Sequence, residues 1–119
     1  MSTPQFNLMV IRSPDIEVSH RFYRALGFTF EKHAHGNGPV HYASERDGHV
    51  FEIYPGTSKE ERSTGIRIGI EVSDIAAAIE AAKHHGALKA SEPKDSDWGV
   101  MAVVEDPFGI PVHLTQKTR

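Results

Sequence analysis

The sequence predicts an α+β fold of two similar modules, each running strand, helix, strand, strand, strand, the paired four-stranded sheets enclosing a concave groove. Three observations predict it. Asp15-Ile16 opens a helical stretch that reaches Gly27, and Asp74-Ile75 opens one of equal length that reaches Gly86, 59 residues further on in a chain of 119. Each stretch follows an apolar or alternating run, at 6–11 and at 66–72, and precedes three strand-like runs. Asp47 and Asp106 stand at hairpin turns with the same 59-residue offset. Such self-similarity is a statement about architecture. It divides one domain, 1–119, into a first module at about 5–56 and a second at about 65–117, joined by the polar segment 57–64.

Each element has a local reason. Asp15 and Asp74 can accept from the orphan amides of a helix's first turn. Gly27 and Gly86 can take the left-handed conformation that ends a helix. Val18, Phe22, Ala25 and Leu26 share one helical face, as do Ile75, Ala78, Ile79 and Ala82. Both stripes are core. Alternation and turn residues place strands near 6–12, 28–35, 39–45 and 49–54, then 65–72, 88–93, 99–105 and 110–116. Asp47-Gly48 is the strongest short hairpin signal in the chain. A half of this size buries too little surface to stand alone, so the halves must cover each other or a ligand.

Composition excludes several classes. Apolar residues are 39% and charged residues 24%, enough hydrophobe for a core and against global disorder. The net charge of −3 and the lack of a basic stripe argue against a nucleic-acid partner. No apolar run approaches the roughly 18 residues needed to cross a bilayer. The first residues carry no basic region followed by an apolar stretch, so a cytoplasmic protein is expected. Cysteine is absent, which removes disulfides, thiol nucleophiles and Cys-ligated metals. Any proton or metal chemistry must run on Asp, Glu and the eight histidines.

The pattern Asp15-Ile16 through Phe22-Tyr23, Leu26-Gly27-Phe28, with Asp106-Pro107-Phe108-Gly109-Ile110 and the paired modules, resembles the vicinal oxygen chelate superfamily. That group includes glyoxalase I, extradiol dioxygenases, fosfomycin-resistance enzymes, methylmalonyl-CoA epimerase and the bleomycin-resistance binding proteins. The resemblance covers nearly the whole chain and speaks for fold more than for reaction. It implies a homodimer. In metal-using members the ligands come from the first and last strands of each module. Counting back seven residues from each helix-opening Asp gives Leu8, with Asn7 competing, and Arg67. Glu52 and His113 are the last-strand equivalents. Leu8 and Arg67 cannot ligate a cation, so no metal is expected at the usual four positions.

Strand alternation adds a second reading of the groove. If Asp47-Gly48 is a two-residue turn, Ala43 faces Glu52 and His41 faces Tyr54, while Tyr42, Ser44, Phe51 and Ile53 pack under a helix. Arg67, Gly69 and Glu71 point into the groove if Ile66, Ile68, Ile70 and Val72 face the other helix. His41, Glu52, Tyr54, Arg67 and His113 are therefore the expected pocket residues. Glu52 is a candidate general base. His41, Tyr54, Arg67 and His113 are candidate ligand contacts, with Arg67 able to clamp a carboxylate or phosphate. Two other arrangements stay open. Glu52 and Arg67 can pair as ions beside neutral histidines, or His41, Glu52 and His113 can hold a divalent ion.

Other histidines are weaker candidates. His33 and His35 flank the loop around Gly36-Asn37-Gly38, a lid or an ordinary connection. His84-His85 ends a helix, His20 sits on one, and His49 flanks a turn. Trp98 can cap the groove or meet a partner chain. Ser44, Ser73 and Thr115 lack the neighbours of a serine hydrolase. The function expected is a small-molecule-binding member of the superfamily, without a cofactor, taking a small anionic ligand. The alternative is a metal-dependent lyase, isomerase or dioxygenase using Ni, Fe, Mn or Zn on Glu52 and His113, with His41.

Overall fold

The computed structural model describes residues 2–116, so the expected module end near 117 lies outside them. The first module contains β1 (Leu8–Ser13), α1 (Ile16–Ala25), β2 (Glu31–His33), β3 (His41–Arg46) and β4 (His49–Pro55). The second contains β5 (Ile68–Val72), α2 (Ile75–His84), β6 (Lys89–Ala90), β7 (Lys94–Ser96), β8 (Gly99–Glu105) and β9 (Pro111–Gln116). The first sheet has the order β1-β4-β3-β2 and the second β5-β9-β8-β6, with β7 also on β8. In each sheet the opening strand runs parallel to the module's last strand, and the other pairs are antiparallel. The repeat in the sequence is thus a repeat of topology.

One element differs from expectation. The run expected as a single strand at 88–93 is two short strands, β6 and β7, separated at Pro93. Proline has no N–H for the ladder, so pairing along β8 breaks there. The second sheet therefore has five strands, not four.

The helix signals act as read. Asp15 Oδ1 accepts from the amides of Glu17 and Val18 at 3.0 and 3.3 Å, and Asp74 Oδ1 accepts from Ala77 at 3.0 Å. Gly27 and Gly86 have φ of +121° and +99°, the backbone that a side chain resists. Asp47 and Gly48 have φ of +53° and +81°, the pair of positive values that a type I′ turn needs. That turn sets the register Ala43↔Glu52 and Ser44↔Phe51.

Register decides which side chains face the helices. α1 packs on β3 and β4, α2 packs on β6, β8 and β9, and the helices touch each other. Ile11, Phe22 and Ile53 from the first module join Ile79, Val104 and Leu114 from the second in one core. Under α1 the rings of Tyr23 and Phe51 meet edge to face at 5.1 Å, with Phe28 and Phe30 around them. Tyr42 donates to Glu17 at 2.8 Å and Lys32 donates to the same carboxylate at 2.9 Å, tying α1 to β2 and β3. The opposite face of each sheet carries no helix. Among the described residues no helix is long and apolar enough to cross a membrane.

Candidate functional site

On the helix-free face of the first sheet, three of the expected residues come together. His41 is buried and stacks on Tyr54, ring centroids 4.1 Å apart and nearly parallel. Its Nε2 lies 3.8 Å from Oε2 of Glu52. Its Nδ1 lies 3.1 Å from the carbonyl of Pro39. A carbonyl only accepts, so Nδ1 carries the proton of that bond. The other ring nitrogen, Nε2, faces the Glu52 carboxylate.

Sequence reasoning missed one member and undervalued two. Arg12 pairs with Tyr54 across β1 and β4, and its guanidinium stands 5.2 Å from the Tyr54 ring. It shares its strand face with Leu8 and Val10, so alternation alone could have found it. The Arg12 head is held in place by donation to the carbonyl of Pro55 at 3.2 Å. His33 pairs with His41 across β2 and β3. The rings of His33 and His35 lie 5.7 and 5.6 Å from that of His41 and 5.3 Å from each other. The loop that carries His35 folds back through a hydrogen bond from the Gly38 amide to the His35 carbonyl. Glu31 sits 3.3 Å from Nε2 of His33.

Arg67 and His113 belong to the other sheet. His113 pairs with Gly69 on the helix-free face of β9, half-buried, and Arg67 is exposed just before β5. Among the described residues, no hydrogen bond, ion pair or ring contact joins either one to His41, Glu52 or Tyr54. The Glu52–Arg67 ion pair is likewise not formed among them.

The residues do not fit the superfamily's usual metal centre. Leu8 is a hydrocarbon and Arg67 a permanent cation. Of the four positions, only Glu52 and His113, one on each sheet, keep side chains able to ligate. Among the described residues, no three histidine or acid side chains are arranged to hold a metal ion.

A sizeable cleft lies elsewhere. It measures about 1080 Å³ and opens on the helix side, between the start of β1, the end of α1, β5 and the first turns of α2. Leu8, Met9, Leu26, Ile68 and Ala78 line it, and none of His41, Glu52, Tyr54, Arg67 or His113 does. Its walls are mainly apolar and it faces the unpaired edge of β1. The chemistry-bearing side chains His41, Glu52 and Tyr54 are not among its lining residues.

The family model of the glyoxalase/bleomycin resistance protein/dioxygenase superfamily matches residues 5–114. No curated protein matches the chain. Among solved structures, the fold is similar to that of a glyoxalase/bleomycin resistance protein from Albidiferax ferrireducens T118. That likeness has a TM-score of 0.73 at 20% identity, covering 95% of this chain and 98% of that one. It is also similar to TnmS3, an antibiotic binding protein from Streptomyces sp. CB03234, with a TM-score of 0.71, 19% identity and 99% of both chains covered. A glyoxalase-related enzyme from Fulvimarina pelagi gives a TM-score of 0.71 at 14% identity, covering 97% of this chain and 89% of that one.

Proposed function

Because the chain belongs to the glyoxalase/bleomycin resistance protein/dioxygenase superfamily, we propose that it binds a small anionic molecule on the helix-free face of its first sheet, without the usual four-position metal centre. The observation that carries this reading is the Arg12–Tyr54–His41 array. Tyr54 on β4 stands between the imidazole of His41 on β3 and the guanidinium of Arg12 on β1, so the array offers a ligand a fixed cation held against ring edges. Glu52, beside them, is a hydrogen-bond acceptor and the candidate proton acceptor. The fold serves binding in at least one similar protein, the antibiotic-binding TnmS3.

One sheet makes only one wall. The second wall of the groove is the helix-free face of a second sheet, with Arg67 and His113. We propose that a second copy of the chain supplies it. The unpaired edges of β1 and β5 support this, as does the exposure of Phe6, Leu8 and Met9 beside the apolar cleft. A cytoplasmic location is part of the same proposal.

The test uses salicylate and its neutral analogue salicylamide, with binding read by calorimetry and by the melting shift. Salicylate should bind more tightly than the amide. That preference should shrink in Arg12→Ala and in Arg67→Ala, and both ligands should weaken in Tyr54→Ala. Equal binding of acid and amide, or binding indifferent to Tyr54→Ala, defeats the reading.

A further inference from the structure

We propose that Gly69 is a specificity-determining position of the ligand site. The side chain it lacks opens a gap beside His113 that admits the uncharged body of an anionic ligand, while Arg67 holds the acid group. This rests on the reading above, in which a second sheet supplies the other wall of the site.

A glycine inside a strand weakens it, because it has no side chain to pack and more backbone freedom to lose. It belongs there when the backbone is left-handed, when a neighbour crowds it, or when something else approaches. Of the ten glycines, seven take positive φ. A Cβ on Gly38 would stand 3.0 Å from the carbonyl oxygen of His35, and one on Gly56 would strike the backbone oxygen of Glu61 at 2.5 Å. Among the described residues, Gly69 alone has neither reason. Its backbone is not left-handed, and a Cβ there would meet nothing within 4 Å.

The other half of the repeat carries the same argument. Gly69 occupies in β5 the place that Val10 occupies in β1, 59 residues earlier. Val10 pairs with Glu52, and Gly69 pairs with His113. The topology therefore accepts a valine at this place, and the second module leaves it open.

The gap has defined surroundings. Ile68 is buried and Ile70 packs against the core, so a side chain at 69 would point to the helix-free face, although the β5 edge also borders the apolar cleft. On the helix-free face His113 stands between Gly69 and Val103, across the adjacent strands β5, β9 and β8. Arg67 precedes Gly69 by two residues, a rise of about 7 Å in extended chain. An imidazole with a valine on one side and open backbone on the other suits a compact uncharged group, to which it offers a hydrogen bond. The guanidinium beyond offers paired donors to a carboxylate or phosphate.

The test compares Gly69→Ala and Gly69→Val with the wild type. Salicylate and salicylamide binding is read by calorimetry, with melting and light scattering to follow fold and assembly. Both variants should melt at or above the wild-type temperature. Both ligands should weaken in Gly69→Ala and weaken further in Gly69→Val, by about tenfold or more. The preference for the acid should survive, because Arg12 and Arg67 are untouched. Binding retained in Gly69→Val overturns the inference and leaves the ligand site standing. A lower melting temperature in Gly69→Ala also overturns it, since the glycine then serves the fold. A changed mass overturns it in favour of a contact between copies. No binding by the wild type defeats the ligand reading itself, and this inference with it.

Discussion

The phenol of Tyr23 donates a 2.7 Å hydrogen bond to Oδ2 of Asp106, joining α1 of the first module to the β8–β9 turn of the second. Both residues are buried. The other oxygen of Asp106 accepts from the amides of Phe108 and Ile110, at 2.8 and 3.0 Å. The turn that repeats Asp47-Gly48 in the second half is thus also the latch between the halves. Tyr23→Phe should cost about 1–3 kcal/mol in denaturant unfolding, because it leaves a buried carboxylate oxygen without its donor. Asp106→Ala should cost more, since two amides lose their acceptor as well. Burial first, and then the charge of Asp106, push the Tyr23 phenol well above the ordinary tyrosine range. In an alkaline absorbance titration, Tyr23 should therefore ionise only with unfolding.

The stability of the first module should depend on pH through His20. Its ring stacks on Tyr42 with centroids 3.9 Å apart and meets Phe30 edge on at 5.3 Å. Burial lowers its pKa; Glu17 opposes that shift, while Arg24, Arg21 and Lys32 add to it. The unfolded chain then takes up this proton before the folded chain does. The stability held by neutral His20 is present above the ordinary histidine pKa and lost as pH falls through the lower folded value. His20→Phe keeps a ring in place and removes the titration. Its melting temperature should fall less than the wild type's between about pH 7.5 and pH 5. Parallel pH profiles for the two proteins would count against this.

The Asp47-Gly48 turn and the burial of Phe51 and Ile53 together hold the register that places Glu52 on the helix-free face. Gly48→Ala places a Cβ at φ +81°, in otherwise open space, so the penalty is backbone strain of about 1–2 kcal/mol and not a clash. A one-residue slip of β3 against β4 would turn Glu52 toward α1 and Phe51 outward. The variant should melt lower and keep the Ala43↔Glu52 pairing, which cross-strand nuclear Overhauser contacts would report.

Much of this was legible in the sequence for physical reasons. Asp47-Gly48 has essentially one turn available to it, so the pairing of Ala43 with Glu52 and the closeness of His41 to Tyr54 followed from counting. The β2–β3 connection offers no such constraint. It is long, its Gly36 takes φ +55°, and nothing in its sequence fixes which residue of β2 faces His41. The approach of His33 and His35 to His41 was therefore hidden. Arg12 was overlooked for a different reason. Counting back to the superfamily's metal position stopped at Leu8, while the same face of β1 continues two pleats further. The split of β6 from β7 was signalled by Pro93. The separation of Arg67 and His113 from Glu52 was not legible, because alternation orients side chains within a sheet and says nothing about how two sheets are placed.

The last prediction concerns that separation. Phe6 is 95% exposed and Leu8 55% exposed, on or beside an edge strand with no neighbour on one side. An apolar, unpaired edge invites association, and monomers usually blunt such edges with charge or proline. Here the early part of β1 carries Leu8, Met9 and Val10 instead, and the first two line the apolar cleft. Only the far end of β1 is covered within the chain, where Ser63 and Arg12 exchange hydrogen bonds at 2.8 and 3.0 Å. Light scattering should therefore give the mass of a dimer. Leu8→Asp replaces a side chain that is more than half exposed in the single chain, so it should cost that fold little. In a dimer the same change buries an unpaired carboxylate, which costs several kcal/mol. The variant should run as a folded monomer, with salicylate affinity reduced because Arg67 and His113 no longer reach the ligand face. If Leu8→Asp stays dimeric, β1 is not the interface. If it is monomeric with unchanged affinity, a single sheet makes the whole site.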